Sequence, residues 1–344
     1  PAAGLADPAR LARDIPDLDL YFPWRLAADE AIDAARRCEA AALAVDPRLG
    51  NSEGADISTE EGVRVYGNTN GFLAGFPASQ HAVSCVVLGG EGSGMQRDYW
   101  FSTARDPEDL EPAEAVGRRA GERTVDRLGA RRVATASVPV LFAAPVARSL
   151  FGHFVGAVSG GSLYRKASFL LDTLGEQLFP EFLDLREEPH LPKALGSTPF
   201  DGEGVATVPR TLVDRGVLQG YLLSSYSARR LGMETTGNAG GVHNLCVTPG
   251  ERDFDDLVRD MGRGLVVTHL MGQGVNPVTG DYSRGAAGFW VENGRIAYPV
   301  EEITVAGNLR DVFRQIVAVG RDVDTRGSIR TGSVLVDRMT VAGE

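Results

Sequence analysis

The sequence predicts an α+β fold of two domains, with strands that pair locally into antiparallel sheets. Three observations predict it. Helical periodicities lie among runs of short strands, turn signals join consecutive strands into hairpins, and 42 dispersed glycines in 344 residues indicate many tight turns. Average glycine usage is roughly 7%. Because crossover helices do not separate the strands, a doubly wound parallel sheet is excluded.

The first domain, predicted over residues 1–134, combines two helices with an antiparallel meander. Apolar residues recur at helical spacing over residues 26–45, and Asp46 followed by Pro47 ends that helix. A second helix is predicted over 112–128, with Pro112 in its first turn and Gly129 after its end. Short strands are predicted between them, at 62–66, 72–76, 82–88 and 95–102.

The second domain, predicted over residues 135–344, is rich in strands and contains short helices. A strand at 138–142 precedes a helix at 145–158, and further strands are predicted at 205–213, 217–223, 286–291 and 295–300. Asn293-Gly294, between the last two, is the strongest hairpin signal in the chain. Short helices are predicted around 224–231, 253–261 and 308–317.

Composition excludes several classes of function. The formal net charge is -11 and the arginines are scattered, so direct binding of nucleic acid is not expected. The longest apolar stretch, residues 136–147, contains two prolines and is too short to cross a bilayer, so no membrane span is predicted.

The cysteines and the start of the chain indicate the compartment. Cys38, Cys85 and Cys246 are far apart in apolar surroundings, which is typical of free thiols in a reducing compartment. The chain opens at Pro1 without an initiator Met and without the regions of a signal peptide. We therefore expect a trimmed version of a cytoplasmic protein.

The predicted helix over 145–158 contains the first candidate for chemistry, His153. A zinc-binding helix needs a second histidine one turn away and a nearby carboxylate that activates water, and neither is present. His153 shares a helix face with Val146, Leu150 and Ala157. A buried structural histidine is therefore favoured over a catalytic one.

A glycine-rich segment at 235–244 is the second candidate, as a site for a peptide backbone. Gly240 and Gly241 would let a ligand approach closely, and the side chains of Asn238, His243 and Asn244 could bind its amides. The segment lacks the lysine of a phosphate loop and does not match a dinucleotide fingerprint. Peptide binding and a purely structural connection both remain open.

The third candidate is the segment at 272–290, a long polar loop that leads into an apolar strand. Loops on a rigid sheet often carry function, and Ser283 beside Arg284 suggests substrate binding or a hydrolase. An active serine needs a base within reach, and His243 and His269 are the histidines offered for that role. The nucleophile interpretation is the weaker one.

These motifs, together with several others, resemble the TldE/PmbA family over nearly the whole chain. The matching stretches follow in the family's order: Leu150-Phe151-Gly152-His153, Leu163-Tyr164-Arg165-Lys166, Ser197-Thr198-Pro199-Phe200-Asp201, Tyr226-Ser227-Ala228-Arg229, Thr236-Gly237-Asn238-Ala239-Gly240-Gly241, Met271-Gly272-Gln273-Gly274-Val275, residues 280–289 and residues 303–309. Family members carry a further amino-terminal segment, so the first domain is expected to be incomplete.

The resemblance implies that this chain does not bind the family's metal. In the sister TldD subunits the corresponding helix carries His-Glu-x-x-Gly-His, whereas here Arg148 and Ser149 stand in place of the first ligand and the base, and only His153 remains. Residues 322–327 offer no cysteine where the sister subunit supplies one. We expect no cofactor in this chain and zinc only in a TldD-type partner.

The resemblance also implies a function. We expect one subunit of a heterodimeric TldD/TldE-type metalloprotease that cleaves extended or unfolded peptides, with family roles in peptide-antibiotic maturation and antitoxin degradation and an indirect link to DNA gyrase. Its expected substrate-binding residues are Asn238, Gly240, Gly241, His243, Asn244, Ser283 and Arg284. The alternatives are a homodimeric peptide-binding or scaffold protein without proteolytic activity, and an autonomous hydrolase that uses Ser283 or His153.

Overall fold

The computed structural model describes residues 2–343 and confirms the α+β class. Within these residues the α-helices, numbered in chain order, are α1 Ala28–Leu43, α2 Ala113–Asp126, α3 Ala144–Ala157, α4 Gly160–Tyr164, α5 Ser225–Leu231, α6 Phe254–Met261 and α7 Leu309–Arg314. None of these described helices is both long and apolar enough to span a membrane.

The strands form three sheets. Numbered in chain order, they are β1 Asn51–Gly67, β2 Leu73–Gly89, β3 Gln96–Ala104, β4 Ala136–Phe142, β5 Leu185–Glu187, β6 Arg210–Asp214, β7 Val217–Leu218, β8 Leu245–Val247, β9 Gly264–Met271, β10 Asp281–Glu292, β11 Arg295–Asn308, β12 Ile316–Val319, β13 Ile329–Arg330 and β14 Val334–Ala342.

The amino-terminal sheet is an antiparallel meander in the order β1-β2-β3, with α1 and α2 packed on it. The segments predicted as separate strands at 72–76 and 82–88 are one continuous strand, β2. Polar Ser79 and His81 interrupt the apolar alternation there, yet both are buried and hydrogen bond the segment before α1. Tertiary partners therefore sustain a strand that the sequence pattern divides.

The largest sheet has the order β11-β10-β9-β4-β14-β12 and is antiparallel except where β4 pairs with β9. The predicted hairpin between β10 and β11 is confirmed. Its turn residues Asn293 and Gly294 have φ of 51° and 69°, as a turn matched to strand twist requires. Helix α3 packs against this sheet, and Leu150, Phe151 and Phe154 are fully buried in the main core.

A third sheet, ordered β13-β8-β5-β6-β7, is built from short strands. The strands predicted at 205–213 and 217–223 extend only over β6 and β7. The backbone of Leu222 and Leu223 instead accepts hydrogen bonds from Gly160 and Thr236, which binds it to α4 and to the glycine-rich segment. The helix predicted at 308–317 ends at Arg314 because the following residues pair with β14 as β12.

Buried polar contacts hold the two parts of the molecule together. The Arg105 guanidinium, only 9% exposed, donates to the carbonyls of Ala194 and Leu195 at 3.2 and 2.9 Å, and burial lowers its pKa. Lys193 Nζ lies 2.6 Å from the Asp106 carboxylate. The first sheet is therefore fixed directly to the carboxyl-terminal part.

Candidate functional site

Helix α3 positions the residues that stand where a zinc helix would carry a ligand and a base. The Arg148 guanidinium extends towards the loop at 322–327, with Nη1 3.5 Å from the Arg326 carbonyl and close to Gly327. The Ser149 hydroxyl donates to the Val146 carbonyl at 2.8 Å, one turn back in its own helix. Neither side chain is presented as a metal ligand or as a base.

His153, the remaining polar member of that motif, packs against an aromatic side chain. Its ring lies edge-on to Tyr282, with centroids 5.9 Å apart, and its Nε2 is buried without a hydrogen-bond partner in residues 2–343. Burial, reinforced by the Arg284 cation, lowers the pKa of His153, so the ring is neutral near pH 7. Burial raises the pKa of Tyr282 to about 12, which keeps this phenol protonated.

The structure shows no metal-binding group among the residues that it describes. No cluster of three or more histidine, cysteine, aspartate or glutamate side chains in residues 2–343 could hold an ion. Cys38, Cys85 and Cys246 are free thiols, as predicted. At the α3 motif, Arg148 and Ser149 do not offer the thiolate, imidazole or carboxylate donors that zinc takes in proteins.

Ser283 is not brought together with the histidines offered as its base. It is exposed on β10 opposite Ala306, whereas His269 pairs with Ala287, four residues further along the strand. At about 3.4 Å per residue, the position that pairs with His269 lies roughly 14 Å along β10 from Ser283, and His269 itself is one strand further across. His243 lies in the glycine-rich segment with Nε2 3.1 Å from the Gly237 carbonyl.

A network of charged side chains, centred on a buried glutamate, forms hydrogen bonds with the glycine-rich segment at 235–244. Glu187, 2% exposed, accepts from Arg210 Nε at 2.8 Å, from Asn238 Nδ2 at 2.7 Å and from the His243 backbone at 2.8 Å. Arg210 Nη2 also donates to the side-chain Oδ1 of Asn238 at 2.8 Å. The ion pair thereby fixes the loop through Asn238, and sequence reasoning missed both of its charged members.

The remaining residues of this segment divide into supporting and open positions. Asn244 is fully buried, and its amide donates to the Glu188 carbonyl and the Ser197 hydroxyl. Gly240 and Gly241 have φ of 110° and 124°, and a side chain built there would meet nothing within 4 Å. The side chains of Asn238 and Asn244 are thus committed to the fold, while the backbone of the glycines borders open space.

A cavity of about 1020 Å³ lies between the first sheet and the carboxyl-terminal part. Its lining includes Trp100 and Arg123 from the amino-terminal part, Pro145 at the start of α3, and Arg326 from the loop that Arg148 contacts. The Arg326 guanidinium lies over the Trp100 ring, 4.0 Å from its centroid. The loop at 322–327, which Arg148 of α3 contacts, therefore also lines this cavity.

One wall of this cavity is an interdomain charge cluster that periodicity and spacing did not reveal. The Asp98 carboxylate lies 3.0 Å from His269 Nε2 and 3.1 Å from Arg123. Burial by itself would raise the pKa of Asp98, but the His269 hydrogen bond and the Arg123 charge outweigh it and hold the pKa below its usual value. The Asp98 carboxylate is therefore ionised near neutral pH where it joins the two parts.

Comparison with models of metallopeptidase domains assigns the class of this chain. The PmbA/TldA metallopeptidase central domain matches residues 21–128, and the C-terminal domain of the same group matches residues 135–343. The chain belongs to the PmbA/TldA metallopeptidase family.

Individual relatives support this assignment. The metalloprotease PmbA of Escherichia coli O157:H7 is 52% identical over 344 residues, which cover all of this chain and 76% of the relative. A PmbA homolog of Haemophilus influenzae is 48% identical over 341 residues, covering 99% of this chain and 76% of the relative.

Solved structures of other proteins have the same fold as this chain. A protein from Bacteroides thetaiotaomicron, described as a candidate modulator of DNA gyrase, superposes with a TM-score of 0.95 at 32% identity, covering 100% of this chain and 78% of that one. TldE from Thermococcus kodakarensis shares the fold, with a TM-score of 0.83 at 23% identity, covering 99% of this chain and 80% of that one.

Proposed function

We propose that this chain is the non-metal-binding subunit of a TldD/TldE-type metalloprotease that acts on extended or unfolded peptides, with a TldD-type partner supplying zinc and the bond-breaking chemistry. Family membership supports a protease-related role. The proposal that the metal and the chemistry belong to the partner rests on the sequence of helix α3, where Arg148 and Ser149 replace a ligand and a base. A guanidinium is always charged and cannot coordinate a cation.

In this proposal Arg148 has a mechanical role. Its guanidinium reaches from α3 to the loop at 322–327 and so joins two segments without a metal. Asp324, in that loop, is held ionised because its ion pair with Arg326 outweighs the effect of burial, so its pKa lies below the usual value. The altered motif therefore contacts a loop that lines the interdomain cavity.

Substrate contact is assigned to the open positions of the two loops. Gly240 and Gly241 offer backbone groups to an extended peptide, His243 lies beside them, and Ser283 and Arg284 border the other loop. The two buried asparagines of the glycine-rich segment hold its shape and do not contact the peptide. Location in the cytoplasm, and a link to gyrase only through peptide substrates, belong to the same proposal.

The test is to purify this chain alone, a TldD-type subunit alone, and the two together, and to measure bound zinc and cleavage of an unfolded peptide. We expect no stoichiometric zinc on this chain, and cleavage that requires the partner. Stoichiometric zinc together with cleavage by the isolated chain would contradict the proposal.

The two rival functions predict different results in the same experiment. For an autonomous hydrolase, cleavage by the isolated chain would disappear in Ser283→Ala or His153→Ala. For a homodimeric scaffold, light scattering would show a dimer of this chain, and adding a TldD-type subunit would change neither its mass nor peptide cleavage.

A further inference from the structure

Two short segments of the carboxyl-terminal part bring together an exposed group of aromatic and cationic side chains. Gly160 of α4 lies directly against Ser227 of α5, since a Cβ on the glycine would be 2.2 Å from the Ser227 hydroxyl. This close approach sets Tyr164, at the end of α4, edge-on to Tyr226 of α5, with ring centroids 5.7 Å apart. The two tyrosines are therefore positioned by backbone packing.

Cations surround these rings. The guanidinium groups of Arg165 and Arg230 lie 5.4 and 5.5 Å from the centroid of the Tyr164 ring. Lys166 and Arg229 are their chain neighbours, and all four cationic side chains are exposed. We call Tyr164, Arg165, Lys166, Tyr226, Arg229 and Arg230 the tyrosine–arginine patch.

The patch has no internal counter-charge. Within residues 2–343 none of its four cations forms an ion pair, and Arg229 donates only to backbone carbonyls near the amino terminus. The neighbouring carboxylates are already engaged: Glu234 pairs with Arg10, and Glu203 accepts from the Ser225 backbone. Four neighbouring like charges repel one another, although solvent and salt screen them, and a bound anion would relieve that repulsion.

The patch lies at the base of the glycine-rich segment. Leu223, just before α5, accepts from the Thr236 backbone at 3.1 Å, and Ala228 of α5 accepts from Met233 at 2.9 Å. Helix α5, which carries Tyr226, Arg229 and Arg230, is therefore joined by backbone hydrogen bonds to the start of the segment that contains Gly240 and Gly241. Tyrosine and arginine are also the side chains that most often dominate binding energy at protein interfaces.

We propose that the tyrosine–arginine patch binds an acidic segment of an extended peptide substrate. Arginines held against an aromatic ring keep their N–H groups free for carboxylates, and the tyrosine hydroxyls can donate as well. Four cations match a short run of carboxylates, whereas a long polyanion would be repelled by the rest of the molecule. That the acidic peptide is a substrate rests on the proposed function.

The test measures binding to the isolated full chain by fluorescence anisotropy. The probe is a labelled, otherwise neutral peptide with four consecutive glutamates, and its control has glutamines instead. We expect the glutamate peptide to bind more tightly and to weaken as salt rises. The double variant Arg165→Glu with Arg230→Glu should lose roughly tenfold or more in affinity.

A matched control is Arg295→Glu with Arg338→Glu, which makes the same charge change at two exposed arginines elsewhere in the fold and should leave affinity within about twofold. Circular dichroism checks that each variant folds. Equal binding of the glutamine peptide, or an equal loss in the control variant, would overturn the inference.

Other occupants give distinct results. If a labelled oligonucleotide of equal charge binds more tightly and the patch variant abolishes that binding, the site is for nucleic acid and the inference fails. If the patch variant leaves peptide affinity unchanged but changes the mass of the chain or its association with a TldD-type subunit, the patch is a subunit interface, which also overturns it. Because binding is measured without the partner, its outcome is independent of whether partner-dependent cleavage is found.

Discussion

Removing the Glu187 carboxylate tests whether the buried ion pair holds the glycine-rich segment. In Glu187→Ala, Arg210 loses its charged partner although its side chain is only 18% exposed, and Asn238 loses one of its hydrogen bonds. Breaking a buried ion pair from one side costs about 3 to 5 kcal/mol. Since whole domains are stable by only about 5 to 15 kcal/mol, this variant should be severely destabilised.

The adjacent residue provides a control with the same substitution. Glu188 pairs with Arg186 at 2.9 Å, but the Arg186 side chain is 52% exposed, so this pair is screened by solvent. Glu188→Ala should therefore lose only about 0 to 1 kcal/mol. A double variant, Glu187→Met with Arg210→Met, should be more stable than Glu187→Ala because it leaves no uncompensated buried charge.

The assay combines urea unfolding, followed by circular dichroism, with hydrogen exchange of the loop amides. We expect a lower midpoint for Glu187→Ala and faster exchange at Ala239 and His243. If Glu187→Ala and Glu188→Ala unfold at the same urea concentration, and exchange at those amides is unchanged, the network does not support the loop and the argument is refuted.

Three further predictions test other parts of the structure. Because the folded-state pKa of Asp98 is depressed, the contribution of this carboxylate to stability is present above pH about 3.8 and is lost as pH falls. In thermal melts, Asp98→Asn should therefore be less stable than the parent at neutral pH, and its stability should change less as the solution is made acidic. Tyr282 has the opposite sign: its raised pKa makes its contribution to stability fall between pH 10 and about 12. Tyr282→Phe also removes a buried hydroxyl that has no hydrogen-bond partner within residues 2–343, so this variant should melt at an equal or higher temperature at pH 7 and lose less stability at alkaline pH. In urea titrations Gly117→Ala should lose about 1 to 3 kcal/mol or more of unfolding free energy, because its Cβ would lie 1.9 Å from the Cys38 carbonyl. The control Gly156→Ala has open space around it and should gain up to about 1 kcal/mol. Equal effects of the two substitutions would contradict the close crossing of α1 and α2.

The sequence by itself was sufficient where the signal is local. Helix α1 follows from apolar spacing and the stop at Asp46-Pro47, and the β10–β11 hairpin follows from Asn293-Gly294, which adopts the positive φ values that the turn needs. Family membership was also available, because ordered motifs of several residues each are specific without any structure. These features depend on neighbours in the chain.

The sequence misplaced elements whose limits depend on distant partners. Strand β2 continues through polar residues because the segment before α1 hydrogen bonds them, and β7 is short because the residues after it bind α4 and the glycine-rich segment. The helix at 308 ends early because β14 captures the residues that follow Arg314. Propensity and periodicity do not contain these contacts.

The candidate site divides in the same way. The resemblance to the family places Arg148 and Ser149 at the positions of a metal ligand and a base, and residue type then predicts that neither side chain takes that role. Tertiary structure decided that Glu187 and Arg210 form an ion pair beneath the glycine-rich segment. It also decided that a cavity of about 1020 Å³ lies between the two parts, and that two short helices assemble the tyrosine–arginine patch. Residues far apart in the chain acquire a shared electrostatic environment only on folding, and no local pattern encodes that environment.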